Sequence, residues 1–219
     1  KNLKIGDFTA QDLVTERSGV TGEKMELSDY AFLKAAKVDA YNHLGNKLSS
    51  LVAASAADAD HDTVHGVNMQ VASMSPIALD ADHVAQEVKD RELSVAVDKT
   101  KQDEINKAVE NALRKAGLNP THADSDDHIE SNMAKGWLTP EQAQIARDIR
   151  ATVPAEAEAN LNMKKIEMIA QGRLGKFLKE STLVEQQYIL RESKELVKDV
   201  LKKMNVEIVD FKRITLNQE

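Results

Sequence analysis

His61 and His65 are the two residues in this sequence whose spacing most resembles a pair of metal ligands. Four positions apart on a predicted helix, they would lie on the same face, as metal-ligating histidines often do. A third ligand at a suitable spacing is not evident, and the carboxylates of Asp58, Asp60 and Asp62 are explained by capping of the helix. We therefore predict a solvated helix start and no metal site. A small metal-dependent enzyme is the least favoured interpretation.

The other patterns that could support catalysis or cofactor binding are incomplete. Residues 124–130 are acidic like a calcium-binding loop, but the sixth position has no glycine and the twelfth has no glutamate. No phosphate-binding loop, dinucleotide-binding motif or serine nucleophile motif occurs, and there is no cysteine. We expect an acidic solvated loop, no cofactor, and no catalysis by the chain's own side chains.

Tyr41 and His43 lie in residues 38–56, the stretch that we expect to organise the fold. We interpret it as two strands joined by a tight turn, because Gly45 and Asn46 tolerate positive φ. The second strand carries small residues, which predicts a sheet closely covered by helices or open to a partner. From the residues alone, His43 is a turn histidine half in solvent. Tyrosine and histidine at such a position also offer rigid, amphipathic contact area.

The composition narrows the class of protein. Charged residues make up 30% of the 219 residues and aromatic residues only 4%, a balance that favours helix-rich packing. The formal charge of −7 and the lack of a long basic run argue against direct nucleic-acid binding. No apolar run approaches the roughly 20 residues needed to span a bilayer. We expect a cytoplasmic protein that binds another protein rather than a membrane, and a homo-oligomer is compatible with the sequence.

Residues 1–19 are expected to give a short helix, capped by Thr9 and closed by Gly19. Residues 24–36 follow, and their apolar pattern fits a strand and a helix about equally. After the predicted hairpin, helical spacing of valines indicates a core helix that stops at Pro76.

Two long helices flank a helical tip in the middle of the sequence. The first is expected to start at Asp80 or Asp82 and to end at Gly117; at ~1.5 Å per residue it would be ~50 Å long and should project. The tip covers residues 121–153, and Pro154 is expected to open the second long helix. The large apolar anchors of the tip are Ile129, Met133 and Trp137.

Thr139, Pro140 and Gln142 form a strong helix start within the tip, with a capping threonine, a proline at the first helical position and a capping box. Near the end of the chain, Ser193 is expected to cap a last helix, and residues 206–216 to form a closing strand.

These elements predict an α+β fold, with a small antiparallel sheet covered by helices and a projecting antiparallel helical hairpin. The expected parts are a core subdomain with a three-stranded sheet over residues 1–80, the hairpin with an inserted tip at about 98–162 over residues 81–180, and a helix and closing strand over residues 181–219 that return to the core.

Two blocks of sequence resemble the bacterial translation elongation factor Ts family. Residues 41–53 are similar to its segment Y-x-H…G…(basic)-(apolar)-G-x-L-V. Residues 172–186 are similar to its signature G-R-(L/M)-x-K-F-x-x-E…L-(L/V)-x-Q. The two blocks occur in the family's order, whereas residues 98–162 are not covered by the resemblance. The resemblance also favours a strand over residues 24–36, which would form a three-stranded sheet with the hairpin.

The resemblance implies a guanine nucleotide exchange factor that binds the GTPase elongation factor Tu and promotes GDP release without catalytic residues of its own. It places Tyr41, His43 and Gly45 on the surface that meets the GTPase. The pair Gly22 and Glu23 matches a G-E pair of the family and is assigned to the same surface. Arg173 and Lys176 are either further partner contacts or members of structural ion pairs. Gly172 and Gly175 are expected to allow close helix packing.

The sequence departs from the family pattern in its first part and after its second block. The family's ubiquitin-associated-like helical domain and its T-D-F-V motif do not occur in these residues, so we expect a processed or excised core region. Tyr188 stands where a phenylalanine is common. The alternative to an exchange factor is a non-catalytic helical-hairpin scaffold that binds another protein.

Overall fold

The fold combines helices, which dominate, with two small antiparallel sheets, so the predicted α+β class is confirmed. The computed structural model describes residues 2–43, 45–190 and 194–216. The chain divides into two compact units, one formed by Lys1–Asp80 together with Ser181–Glu219 and the other by Ala81–Glu180. The first unit is therefore built from two separate stretches of the chain.

The main sheet of the first unit has three antiparallel strands in the order β3-β4-β5. The predicted hairpin is confirmed, because β3 and β4 pair with His43 opposite Leu48. The closing strand is also confirmed, since β5 pairs with the other edge of β4. The strands are β1 Lys4–Ile5, β2 Phe8–Thr9, β3 Lys37–His43, β4 Leu48–Ala54 and β5 Ile208–Thr215.

The expectation of a strand over residues 24–36 was wrong. Residues 24–34 have no regular secondary structure, and β5 is the third strand of the sheet instead. Alternating apolar residues such as Met25 and Leu27 can specify the face of a strand, but they do not specify which strand it pairs with.

The helices of the first unit are α1 Ala10–Thr21, α2 His61–Met74 and α7 Val197–Met204. Thr9 and Asp12 form a full capping box at the start of α1, with each side chain accepting from the other residue's backbone N–H. The helix runs past Gly19, contrary to expectation, and ends at Gly22, whose φ of 69° suits a left-handed C-cap. The expected cap at Ser193 lies outside the described residues.

Asp60 fixes the start of α2. Its carboxylate accepts hydrogen bonds from the hydroxyl of Thr63 at 2.7 Å and from the backbone N–H of Thr63 at 2.9 Å. These two bonds, the hydroxyl bond first, lower the pKa of Asp60 below its ordinary value. The helix ends at Met74, two residues before Pro76, as predicted.

The core of the first unit is formed by α2, α7 and residues 183–188 together with β4 and β5. Its fully buried side chains include Val52, Val64, Val67, Val71, Leu183 and Val197. Most of these residues are valines, whose branched side chains suit a thin layer between a helix and a short sheet.

The second unit contains α3 Gln86–Lys115, α4 Asp126–Ala134, α5 Pro140–Ala159 and α6 Met163–Ser181. Apolar residues of α3 and α5 share one core, and two ion pairs, Glu104–Lys165 and Asp103–Arg173, join α3 to α6. The expected cap at Asp80 or Asp82 was wrong, since α3 begins after Ala85 without a side-chain cap.

Pro154 lies inside α5 rather than at the start of a new helix, so that expectation was also wrong. A proline removes one backbone hydrogen bond, but its fixed φ is compatible with a continuing helix. The helix ends instead between α5 and α6. There the side-chain oxygen of Asn162 accepts a hydrogen bond from the backbone N–H of Lys165 at 3.1 Å.

The tip of the second unit has its own apolar core around Ile129, Leu113 and Leu138. Met133 packs against this core as expected, but Trp137 is 59% exposed and is not an anchor. Trp137 directly follows the left-handed Gly136, and Leu138 fills the core position instead.

In the described part of the chain, no helix is long and apolar enough to cross a membrane.

Candidate functional site

The candidate site lies on the face of β3 that is turned toward α2. Along β3, Asp39 is buried and Tyr41 half-buried, whereas Val38, Ala40 and Asn42 between and beside them are exposed. Because side chains alternate along a strand, Asp39, Tyr41 and His43 share one face of the sheet. The family resemblance places Tyr41 and His43 on the same surface, and in the structure their side chains are in contact.

Four aromatic rings form a continuous row across β3 and α2, which we call the aromatic row (His43, Tyr41, His65 and His61). The Tyr41 hydroxyl lies 2.8 Å from Nδ1 of His43, and the two rings stack with centroids 5.7 Å apart. Tyr41 meets His65 edge-on at 5.8 Å. His65 stacks on His61 at 5.9 Å. The predicted pair is thus extended by two histidines of α2.

A buried polar network lies beneath the aromatic row. Oδ2 of Asp39 lies 3.0 Å from Nδ1 of His65 and accepts a hydrogen bond from the Asn68 amide at 2.8 Å. The hydroxyl of Ser50 in turn donates to Asn68 Oδ1 at 2.6 Å. Asp39, Ser50 and Asn68 are all buried, so each of these bonds satisfies a group that water cannot reach. The network fixes α2 on the sheet and holds His65 beside Tyr41.

The turn after β3 has the conformation that its residues predict. Gly45 has a φ of 63° and Asn46 a φ of 68°, both in the left-handed region. Gly22 and Glu23 lie elsewhere, at the end of α1. Their backbone N–H groups bond to Ser18 and Thr21, and among the described residues no hydrogen bond joins either of them to the aromatic row.

Arg173 and Lys176 lie on α6 of the second unit, and both take part in ion pairs. Arg173 pairs with Asp103 on α3 at 2.6 Å, a bond that joins two helices. Lys176 pairs with Glu180 one turn along the same helix at 3.7 Å, an exposed pair that contributes little to stability. The structure thus gives both residues a partner within the chain.

Comparison with known proteins gives a match over nearly the whole chain. The family model described as Elongation factor TS matches residues 1–218. The chain belongs to the elongation factor Ts family. It is 51% identical to Elongation factor Ts of Phocaeicola vulgatus, over all of this chain and 67% of that protein. It is 50% identical to Elongation factor Ts of Bacteroides fragilis, over 99% of this chain and 66% of that protein.

A more distant relative, Elongation factor Ts of Porphyromonas gingivalis, is 28% identical over 96% of this chain and 57% of its own length. The chain therefore spans about two thirds of the length of its more similar relatives and less of this one. The resemblance to the elongation factor Ts family that the two sequence blocks indicated is confirmed.

The second elongation factor Ts block has a structural role in its last part. Leu183 is fully buried in the core of the first unit, and its backbone N–H donates to Ala78. Gln186 accepts a hydrogen bond from the buried amide of Gln70 on α2 at 3.1 Å. This part of the block therefore fixes residues 183–186 against α2.

The glycines in the first part of that block do not allow close helix packing, contrary to expectation. A Cβ added at Gly172 or Gly175 would meet no heavy atom of the described chain within 4 Å. The glycine that does permit a close approach is Gly66 on α2, where the hydroxyl of Tyr188 occupies the space that a Cβ would take.

Metal ligation requires several histidine or carboxylate side chains around one point. Among residues 2–43, 45–190 and 194–216, no group of three or more histidine, aspartate and glutamate side chains is placed to hold a metal ion. The acidic stretch 124–130 is not a loop, since most of it forms the start of α4, and Asp124 pairs with His128. The His128 bond is the first cause that lowers the pKa of Asp124.

Proposed function

We propose that this chain binds the GTPase elongation factor Tu and promotes exchange of GDP for GTP. The observation that carries the proposal is the Tyr41–His43 pair, which belongs to an elongation factor Ts sequence block and is ordered at the end of β3 with its rings in contact. Tyrosine and histidine rings held in place lose little side-chain entropy on binding, which favours them as contact residues.

The chain would act by binding and not by chemistry on the nucleotide. A partner that binds the nucleotide-free GTPase more tightly than the GDP form must lower the affinity of the GTPase for GDP by the same factor. The surface that we assign to this contact is Tyr41, His43 and Gly45, with Gly22 and Glu23 at the end of α1 as a separate contact. Arg173 and Lys176 are assigned to ion pairs within the second unit and not to the GTPase surface.

The test is a thermodynamic cycle. Isothermal titration calorimetry would measure the affinity of the chain for elongation factor Tu with GDP bound and with the nucleotide removed. We expect the chain to bind the nucleotide-free GTPase more tightly than the GDP form. The chain should lower the affinity of the GTPase for GDP by the same factor. Equal affinity for the two forms would contradict exchange and leave a scaffold that binds the GTPase. Failure to bind either form would contradict the proposal altogether.

A further inference from the structure

His65 lies outside both elongation factor Ts sequence blocks, yet the structure places it in the aromatic row beside Tyr41. We propose that His65, together with His61, extends the GTPase-binding surface from β3 onto α2, and that Asp39 is the positioning residue of His65. This inference rests on the proposed function, because it names further residues of the same surface.

The hydrogen bonds of His65 leave one side of its ring for a partner. Nδ1 faces the Asp39 carboxylate at 3.0 Å, and the His65 side chain is 37% exposed. In the described part of the chain, Nε2 of His65 has no hydrogen-bond partner. Because its inner nitrogen is bonded and its outer nitrogen is open, the His65 ring offers a partner one directed hydrogen-bonding group beside the faces of the neighbouring rings.

Asp39 is placed to orient this ring and has no other evident role at the surface. Its side chain is only 9% exposed, so it does not itself present a contact to a partner. A buried carboxylate needs hydrogen-bond donors, and the described ones are His65 Nδ1 and the Asn68 amide. The amide of Asn68 fixes the carboxylate, and the carboxylate fixes the rotation of the His65 ring.

The aromatic row is therefore held from both elements before any partner arrives. Tyr41 and His43 are held by the strand, and His65 and His61 are held by the helix that Asp60 caps. Residues that are preorganised and lie in a contiguous patch contribute more to binding than scattered exposed ones. The partner that fits this patch is a GTPase segment with a hydrogen-bonding side chain opposite His65 and apolar groups opposite the stacked rings.

The experiment measures the affinity of elongation factor Tu in its GDP form for four variants. We expect His65→Ala to weaken binding about five- to thirtyfold, the effect of a contributing interface residue up to the threshold of a hot spot. Asp39→Ala is expected to weaken binding similarly, whereas Asp39→Asn keeps an oxygen acceptor for His65 and Asn68 and should restore most of the affinity. The variant that combines Asp39→Ala with His65→Ala should bind no more weakly than His65→Ala alone, because Asp39 acts through His65.

His128→Ala is the matched control, since His128 is also paired with an aspartate but lies on α4 of the second unit. It should leave the affinity unchanged. Thermal unfolding of each variant separates loss of the fold from loss of a contact with the GTPase. If Asp39→Ala lowers the melting temperature, the affinity of His65→Ala decides the outcome.

Two results would overturn the inference. If His65→Ala binds like the unchanged chain while His43→Ala binds more weakly, the proposed function stands and the extension onto α2 fails. If the unchanged chain does not bind elongation factor Tu at all, the proposed function fails, and the role of His65 fails with it.

Discussion

Asp39 and Asn68 show how single residues set the geometry of the candidate site. They lie on different elements, 29 positions apart in sequence, and their side chains share one hydrogen bond beneath the aromatic row. The contact between Tyr41 and His43 could be predicted, because residues two apart on a strand share a face. The addition of His65 could not be, because it depends on how α2 packs against the sheet.

Gly66 is the residue at which we expect a small change to have a large effect. Gly66→Ala would place a methyl group against the hydroxyl of Tyr188 in the core of the first unit. We expect the free energy of unfolding to fall by about 1–3 kcal/mol, measured by urea denaturation, because the core must shift to make room.

Gly172→Ala is the matched control, since both glycines are helical but a Cβ at Gly172 meets no described atom within 4 Å. It should stabilise the chain by about 0.5–1 kcal/mol through helix propensity. Combining Gly66→Ala with Tyr188→Phe should recover part of the loss, because the hydroxyl is the closest atom. Equal effects of the two glycine substitutions would contradict the packing of Tyr188 on α2.

The lowered pKa of Asp60 should make the free energy of unfolding depend on pH. Its pKa is lowered in the folded chain by the two hydrogen bonds from Thr63. A carboxyl group with a lowered pKa contributes stability fully above its unfolded pKa of about 4, and loses that contribution as the pH falls through the folded pKa.

Asp60→Ser isolates this effect, because serine keeps a capping oxygen but does not titrate. We expect the unchanged chain to lose more stability than the serine variant when the pH is lowered from about 6 to about 2.5, measured by urea midpoints. A difference in stability between the two proteins that is the same at both pH values would show that Asp60 does not titrate as described.

The hairpin of β3 and β4 was predictable because turn chemistry and strand residues agree over a short stretch. The capping box at Thr139 was predictable for the same reason, and the structure has it. The pairing of β5 with β4 joins residues more than 150 positions apart in sequence, so local pattern could not exclude residues 24–36 as the third strand. Pro154 was misleading because proline lowers helix stability without always ending a helix.

Pro154 is expected to lower the stability of α5. Because proline has no N–H, the carbonyl of Arg150 lacks its bond to residue 154 within α5. Pro154→Ala should restore it and raise the free energy of unfolding by about 1–3 kcal/mol. Chemical denaturation followed by circular dichroism measures the change.

Pro140→Ala is the control, because Pro140 occupies the first turn of the same helix, where an N–H has no helical acceptor. We expect it to change the stability little. A gain at Pro140 as large as at Pro154, or no gain at Pro154, would contradict the account of α5.

The two compact units of the molecule carry different features. The first unit carries the aromatic row, and it contains both ends of the region that the family model matches. The second unit has its own core in the tip and ion pairs between α3 and α6. The exchange proposal depends on the first unit, and the substitutions that test it most directly lie there.

The rate at which a fluorescent GDP analogue leaves elongation factor Tu reports nucleotide exchange itself. The unchanged chain should speed release, and His43→Ala should require about five- to thirtyfold more protein to reach the same rate. His128→Ala, on the second unit, should behave like the unchanged chain. If a saturating concentration of the chain leaves the release rate at its intrinsic value, the exchange function proposed for this chain is contradicted.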